Sequence, residues 1–213
     1  MSGASSPEQP DRQSLKARVL DAAEEWIYRL NEREHWIFRI YDRGNELYAA
    51  LFMRGVRRRA SQLDVAVEAG SDARARLRFL TPGDGAIFAE LLASLKSRYL
   101  PPHPLDRRAA ERALRRCSYL PFGIFVGDRL VGYLLLRLFF PWRAVTGIWT
   151  LPTTHNVGIA QACLRQTGSF SRSQGLADYA TVPIDNLNSV RVANGAGWRT
   201  LRTNRHFHVL KLE

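Results

Sequence analysis

Residues 147–165 read Gly147-Ile-Trp-Thr-Leu-Pro-Thr-Thr-His-Asn-Val-Gly158-Ile-Ala-Gln-Ala-Cys-Leu-Arg165. Ile148, Trp149 and Leu151 suit a pleated, buried strand, and Pro152, which has no N–H to donate, ends its pairing. After a short polar loop, Val157, Ile159, Ala160, Cys163 and Leu164 recur at helical spacing. Asn156 is the expected cap, and Gly158 has no Cβ to hold a ligand off the backbone. A strand that runs into a helix start leaves unpaired N–H groups facing outward, where they and the helix dipole favour an anion.

Downstream, Gly175 closes the helix, Ala177–Pro183 reads as the next strand, Leu187–Gly195 as a short helix and Trp198–Leu212 as a final strand pair. Upstream, Tyr119–Val126 and Leu130–Phe140 flank Gly127-Asp128, the pattern of a tight hairpin, and Val145–Leu151 comes next. Arg76–Leu80 alternates as a strand. Thr81, with Asp84 three residues on, opens a helix to about Arg98, buried through Ile87, Phe88, Leu91, Leu92 and Leu95. Tyr99–Pro104, which holds His103, is extended because a residue before proline is displaced from the α region. Leu105–Cys117 is a helix with five arginines. From Arg76 the order is β–α–α–β–β–β–α–β–α–β–β. The expected fold class is therefore α/β (α+β), with a mixed, mostly antiparallel sheet, parallel only at the β–α–β crossover, and flanking helices.

Ahead of this domain, assigned to 74–213, lie a loose terminus over 1–13 and an extension over 14–73. Ser14 caps a helix to about Glu34 with a stripe of Leu15, Val19, Ala22, Ala23, Trp26, Ile27 and Leu30. Trp36, Phe38 and Ile40 alternate with Ile37, Arg39 and Tyr41, a strand pattern ending at a turn over Asp42–Asn45. Glu46–Arg54 fits helix or strand, Arg57–Arg59 is a solvated basic run, Asp64–Val67 is a strand and Ala69–Ala73 a linker. This extension carries no chemical motif; its expected role is domain packing or subunit contact, with substrate recognition or docking of a partner as alternatives.

With 46% hydrophobic residues the chain can bury a core. Its most apolar run, Leu130–Phe140, is interrupted by Arg137 and too short to span a membrane. Cys117 and Cys163 have no metal-ligand spacing and no disulfide density, and the first residues lack a secretory pattern, so a cytoplasmic protein without a metal is expected. The net charge of +11 is unevenly placed. Residues 1–75 hold 12 basic and 12 acidic residues, and residues 76–213 hold 19 against 8. The whole excess therefore lies in the second part, which should attract polyanions such as a phosphorylated cofactor or nucleic acid. Aromatic and basic residues are not interleaved as on an RNA-binding sheet, so a nucleic-acid module is not the favoured reading.

Two motifs carry a resemblance. One is Pro152-Thr-Thr-His155-Asn-Val-Gly158-Ile-Ala160, and the other is Asp185-Asn186-Leu-Asn-Ser189 followed by Gly197-Trp198. In this order, among these strands, they resemble the GNAT superfamily of acyl-CoA-dependent N-acyltransferases. The resemblance implies that the strands Val145–Leu151 and Ala177–Pro183 splay apart and admit the pantetheine arm of acetyl-CoA, the co-substrate, as an added strand. It places the pyrophosphate on the loop His155, Asn156, Val157 and Gly158 and on the helix start Ile159, Ala160 and Gln161, chiefly through backbone N–H groups from Val157 to Gln161. It places the donor to the thioester carbonyl around Thr150–Leu151, and Asn186 beside the arm. It implies direct attack by a primary amine, small or peptidyl. The departures from the family pattern are specific. His155 replaces an Arg or Gln, Ala193 stands where many members have a general-acid Tyr, and the strand Val145–Leu151 has no carboxylate. Tyr179, His155 and Ser189 are the replacement candidates for proton transfer. The alternative is a catalytically degenerate module of the same fold that binds acyl-CoA or a polyanion. Either reading is compatible with a homodimer.

Overall fold

The change from period-two to helical hydrophobic spacing sets the order of elements in the second half of the chain. The computed structural model describes residues 35–69, 73–95, 106–154 and 158–213. The helix expected over Ser14–Glu34, the loop residue His103, and His155, Asn156 and Val157 lie outside them.

The chain divides into two compact units, Met1–Arg43 and Gly44–Glu213. The first is described only through residues 35–43, the start of helix α1 (His35–Phe52). The alternating run Trp36–Tyr41 is thus helical rather than extended. Within the second unit Asn45, Ala49 and Met53 recur at four-residue spacing and all are buried, so a helical period continues where six residues alone suggested a strand. The division also falls earlier than the boundary placed after Ala73. The reason is that α2 (Arg54–Ala60) and β1 (Asp64–Ala69) share one core and one sheet with the strands and helices beyond Ala73.

The remaining elements are β2 (Ala73–Phe79), α3 (Gly85–Ser94), α4 (Arg107–Arg115), β3 (Tyr119–Val126), β4 (Arg129–Phe139), β5 (Arg143–Thr150), α5 (Ile159–Ser173), β6 (Ala177–Pro183), α6 (Leu187–Gly195), β7 (Trp198–Thr203) and β8 (Phe207–Leu212). They form one eight-stranded sheet in the order β1-β2-β3-β4-β5-β6-β8-β7. Every neighbouring pair is antiparallel except β5 with β6. The helix forecast from Thr81 opens with a capping box, with both the Thr81 N–H and hydroxyl bonded to Asp84.

Alternating side chains divide the core into two layers. On one face Leu134, Leu136, Ala180 and Leu210 meet Val56 of α2 and Cys163, Leu164 and Phe170 of α5. On the other, Tyr133, Leu135 and Leu130 meet Phe88, Leu91 and Leu92 of α3 and Ala110, Ala113 and Leu114 of α4. The small alanines let α4 lie close to the sheet.

The extension fastens this second layer from its C-terminal end. The guanidinium of Arg57 donates to the carbonyls of Arg116 at 2.5 Å, Tyr119 at 2.6 Å and Leu114 at 3.0 Å, tying the end of α4 to the start of β3. Glu46 accepts from the backbone of Cys117 and Ser118 and from the Ser118 hydroxyl. The run Arg57–Arg59 is therefore not wholly a solvated face.

Candidate functional site

A strand that has lost one neighbour keeps donors and acceptors along its free edge. The parallel pairing of β5 with β6 consists of Arg143 with Ala177, Ala144 with Asp178 and Val145 with Tyr179, and goes no further. Beyond that point β5 runs on to Thr150 and β6 to Pro183, so the two strands form a fork.

The pairing of β4 with β5 has no register shift, so the direction of each amide in β5 is set by strict alternation. The N–H of Leu151 donates to Val131 O at 2.8 Å, on the β4 side. Ile148 and Thr150 consequently turn both N–H and C=O into the fork. Of the two positions expected to offer a carbonyl donor, only Thr150 presents one; the amide of Leu151 is held by β4. On the opposite prong the N–H of Ala177 donates to Trp142 O at 3.0 Å, so Thr181 also points inward, while Pro183 has no N–H to offer.

Both prongs lead into helices at the open end, as in crevices at the carboxyl ends of parallel strands. Gly158 is the N-cap of α5, with φ 78°, a left-handed conformation that glycine adopts without strain. The first intrahelical bond runs from the Ala162 N–H to Gly158 O at 3.0 Å. The N–H groups of Ile159, Ala160 and Gln161 precede it and have no acceptor within the helix. No carboxylate stands in the first turn. The side chain of Gln161 is already engaged, donating to Gly195 O at 2.8 Å, and Arg165 donates to the same oxygen. The backbone N–H of Gln161 stays directed at the helix start while its side chain is turned towards α6. These bonds fix the start of α5 against the end of α6.

Asn186 caps α6: its side-chain oxygen accepts from the Ser189 N–H at 3.2 Å. That leaves its amide nitrogen as the group able to meet a ligand. Ser189 is half-buried in the first turn of the same helix. Tyr179 stands apart from these groups, at the closed end of the fork beside Val145. At about 3.3 Å per residue this is roughly 16 Å along the strand from Thr150. Thr150 thus stands at the open end, where β5 and β6 lead on to the start of α5 (Gly158, Ile159, Ala160, Gln161) and the start of α6 (Asn186, Ser189), and Tyr179 stands at the closed end. His155, Asn156 and Val157 lie outside the described residues.

Sequence reasoning did not single out the carboxylate at the apex. Asp178 is 1% exposed. Thr146, on β5, and Ser171, on α5, donate their hydroxyls to its two oxygens at 2.7 and 2.8 Å. An acidic residue in an otherwise apolar strand was the available signal. Burial pushes this carboxyl up to about 6, although the hydroxyl donors act the other way. The unfolded chain, with its carboxyl near the ordinary value of about 3.9, releases the proton first. Stability from this group is then fullest below that value and is lost as pH rises through about 6, by about 3 kcal/mol in all. Asp178→Asn cannot ionise. Urea unfolding at both ends of that window should show the wild type losing about 3 kcal/mol relative to the variant on the way up. A constant difference between the two would mean that the carboxylate is not buried in solution.

A separate cleft of about 310 Å³ lies on the α3 face beside the end of β5, between Glu90, Ser94, Asp128 and Leu151. Next to it Trp149 stacks on Tyr133 (5.0 Å, 15°), which in turn meets Phe88 edge-on. Among the described residues there is no group of three or more His, Cys, Asp or Glu that could hold a metal, and no helix long and apolar enough to cross a membrane.

Comparison with known proteins bears on this geometry. A family model described as Acetyltransferase (GNAT) family matches residues 87–198, just over half of the chain. No curated protein sequence matches. Among solved structures, the GNAT domain of S. lividans PAT aligns with a TM-score of 0.62 at 17% identity, covering 70% of this chain and 96% of that one. A putative ribosomal-protein-serine acetyltransferase from Vibrio cholerae aligns at 0.57 and 15%, covering 71% and 98%. The Salmonella typhimurium protein yncA, a putative acetyltransferase solved with acetyl-CoA, aligns at 0.53 and 17%, covering 66% and 94%. At such identities the likeness is one of fold.

Proposed function

The chain belongs to the acetyltransferase (GNAT) family, and from that premise we propose that it transfers an acetyl group from acetyl-CoA to a primary amine by direct attack. The observation that carries this reading is the fork, where β5 keeps two residues with both N–H and C=O unmatched by β6. Acetyl-CoA supplies the acyl group as a thioester, with the CoA thiolate as leaving group.

The residues fit such a molecule in three places. Ile148 and Thr150 can pair with an extended, amide-bearing arm as an added strand would. One of their two N–H groups then becomes the donor to the reacting carbonyl oxygen. The N–H groups of Ile159, Ala160 and Gln161, with the dipole of α5 behind them, take the pyrophosphate. Asn186 offers its amide N–H to the arm. As the amine nitrogen bonds to the carbonyl carbon, the C–S bond breaks with its electron pair going to sulfur, and the amine gives up a proton. Ser189, at the start of α6, and His155 are the candidates for carrying the proton, whereas Tyr179, at the closed end of the fork, stands too far from Thr150 to do so directly. The carboxylates of Glu90 and Asp128 at the neighbouring cleft suit the approach of a cationic amine.

A second reading, a member that binds acyl-CoA without turnover, is favoured by one observation. Ala193, buried to 5% exposure, stands where many family members carry the phenol of a general acid. A thiol-release assay with acetyl-CoA and a panel of polyamines and peptide amines separates the two. The expected result is free thiol that depends on one amine class. Binding of acetyl-CoA with no thiol from any of them would establish the second reading instead.

A further inference from the structure

The outer face of α4 is unusually charged for a surface helix. Arg107, Arg108, Arg112 and Arg115 are all exposed, while Ala109, Ala110, Ala113 and Leu114 fill the inner face. Two of the helix's neighbouring cations are accounted for: Arg107 pairs with Glu111 at 3.2 Å, and Arg116 pairs with Glu46 at 3.5 Å and lies over the Tyr119 ring. Arg108, Arg112 and Arg115 have no such partner among the described residues. Spaced by four and then three residues, they share one face, with about 6 Å and then 4.5 Å of helical rise between them.

Like charges at i,i+4 and i,i+3 destabilise by a few tenths of a kcal/mol each; the dipole disfavours Arg108 in the first turn and favours Arg112 and Arg115 in the last. The carboxylates of α4 itself are already engaged: Glu111 pairs with Arg107, and the N-cap Asp106 accepts from the Ala109 N–H. A rigid row of forked guanidinium groups does match a row of phosphates.

We infer that the outer face of α4 is a docking surface for the phosphodiester backbone of a nucleic acid, held by Arg108, Arg112 and Arg115. An anionic membrane fits less well, because none of the exposed large apolar side chains lies on α4 to enter the lipid. The inference goes beyond acetyl transfer and does not depend on it.

The test is fluorescence anisotropy of the full chain with a labelled RNA hairpin and, in parallel, a DNA duplex, over roughly 50 to 200 mM salt. The comparison is with the triple variant R108Q/R112Q/R115Q and with R58Q/R143Q/R205Q, which removes three other exposed arginines. The α4 variant should bind more than tenfold more weakly at the low end of that range. Its salt slope should fall by about 2 to 3 on either probe, and the control variant should keep most of its affinity. Whichever nucleic acid binds more tightly identifies the source of the backbone. The α4 variant should melt close to wild type, since the repulsion it relieves is offset by the favourable last-turn charges it removes, and its acetyl-CoA affinity should be unchanged. Equal losses in both variants, equal binding to polyglutamate or to anionic vesicles, or no binding at the low end of the salt range would each overturn the assignment.

Discussion

Titrated with acetyl-CoA, the wild-type protein should bind and Gly158→Glu should not. The glycine occupies the N-cap of α5 at φ 78°, directly before the three N–H groups that face outward. A glutamate there puts a carboxylate against the pyrophosphate. Two unit charges about 4 Å apart repel by about 4 kcal/mol at an effective dielectric near 20, or roughly a thousandfold in affinity. Gly158→Ala separates this effect from strain. Its left-handed backbone would cost about 1–2 kcal/mol of stability, but the new Cβ would meet only the Ala69 Cβ, at 3.6 Å, an ordinary contact. The alanine variant should therefore melt lower and still bind. Calorimetry of the three proteins, with melting curves beside it, decides the matter. If the glutamate variant bound as well as the alanine variant, the start of α5 would not be the phosphate site.

The second large effect concerns one amide hydrogen. Thr150→Pro deletes the N–H that faces the fork and leaves the β4 side untouched, because at the ends of a strand proline is accepted where no ladder bond is needed. The neighbouring change Leu151→Pro instead removes the bond to Val131 O. We expect Thr150→Pro to lower kcat/KM about a hundredfold, in the range seen when a single preorganised donor is lost. A fall in kcat would place the amide on the reacting carbonyl, and a rise in KM would place it on the arm. Unchanged kinetics would remove the β5 edge from the mechanism.

These effects turn on features of unequal legibility. The order of elements from Arg76 onward was readable because turn residues and changes of hydrophobic period mark each boundary. Gly127-Asp128 at the hairpin and Thr81 with Asp84 at a helix start are examples. The strand-to-helix passage at Gly158 was readable for the same reason. The unreadable features depend on neighbours far away in the chain. Trp36–Tyr41 alternates over too few residues to outweigh the burial of Asn45, Ala49 and Met53. Arg57 looks like part of a solvated run until three carbonyls around the end of α4 are brought to it. The difference between Thr150 and Leu151 is set by the pairing with β4, which the local sequence does not contain. Asp178 carried a signal, an acid in an apolar strand, but its partners lie on two other elements.

The short pairing of β5 with β6 has a mechanical consequence. The sheet amounts to two panels, five strands and three strands wide, stitched along a seam of three residue pairs with Asp178 in the middle pair. Every other joint in the sheet is longer. A molecule that bonds to both prongs would extend the seam and turn two panels into one continuous plate. Occupancy of the fork would then be felt as stiffness across the whole sheet, far from the groups that touch the ligand.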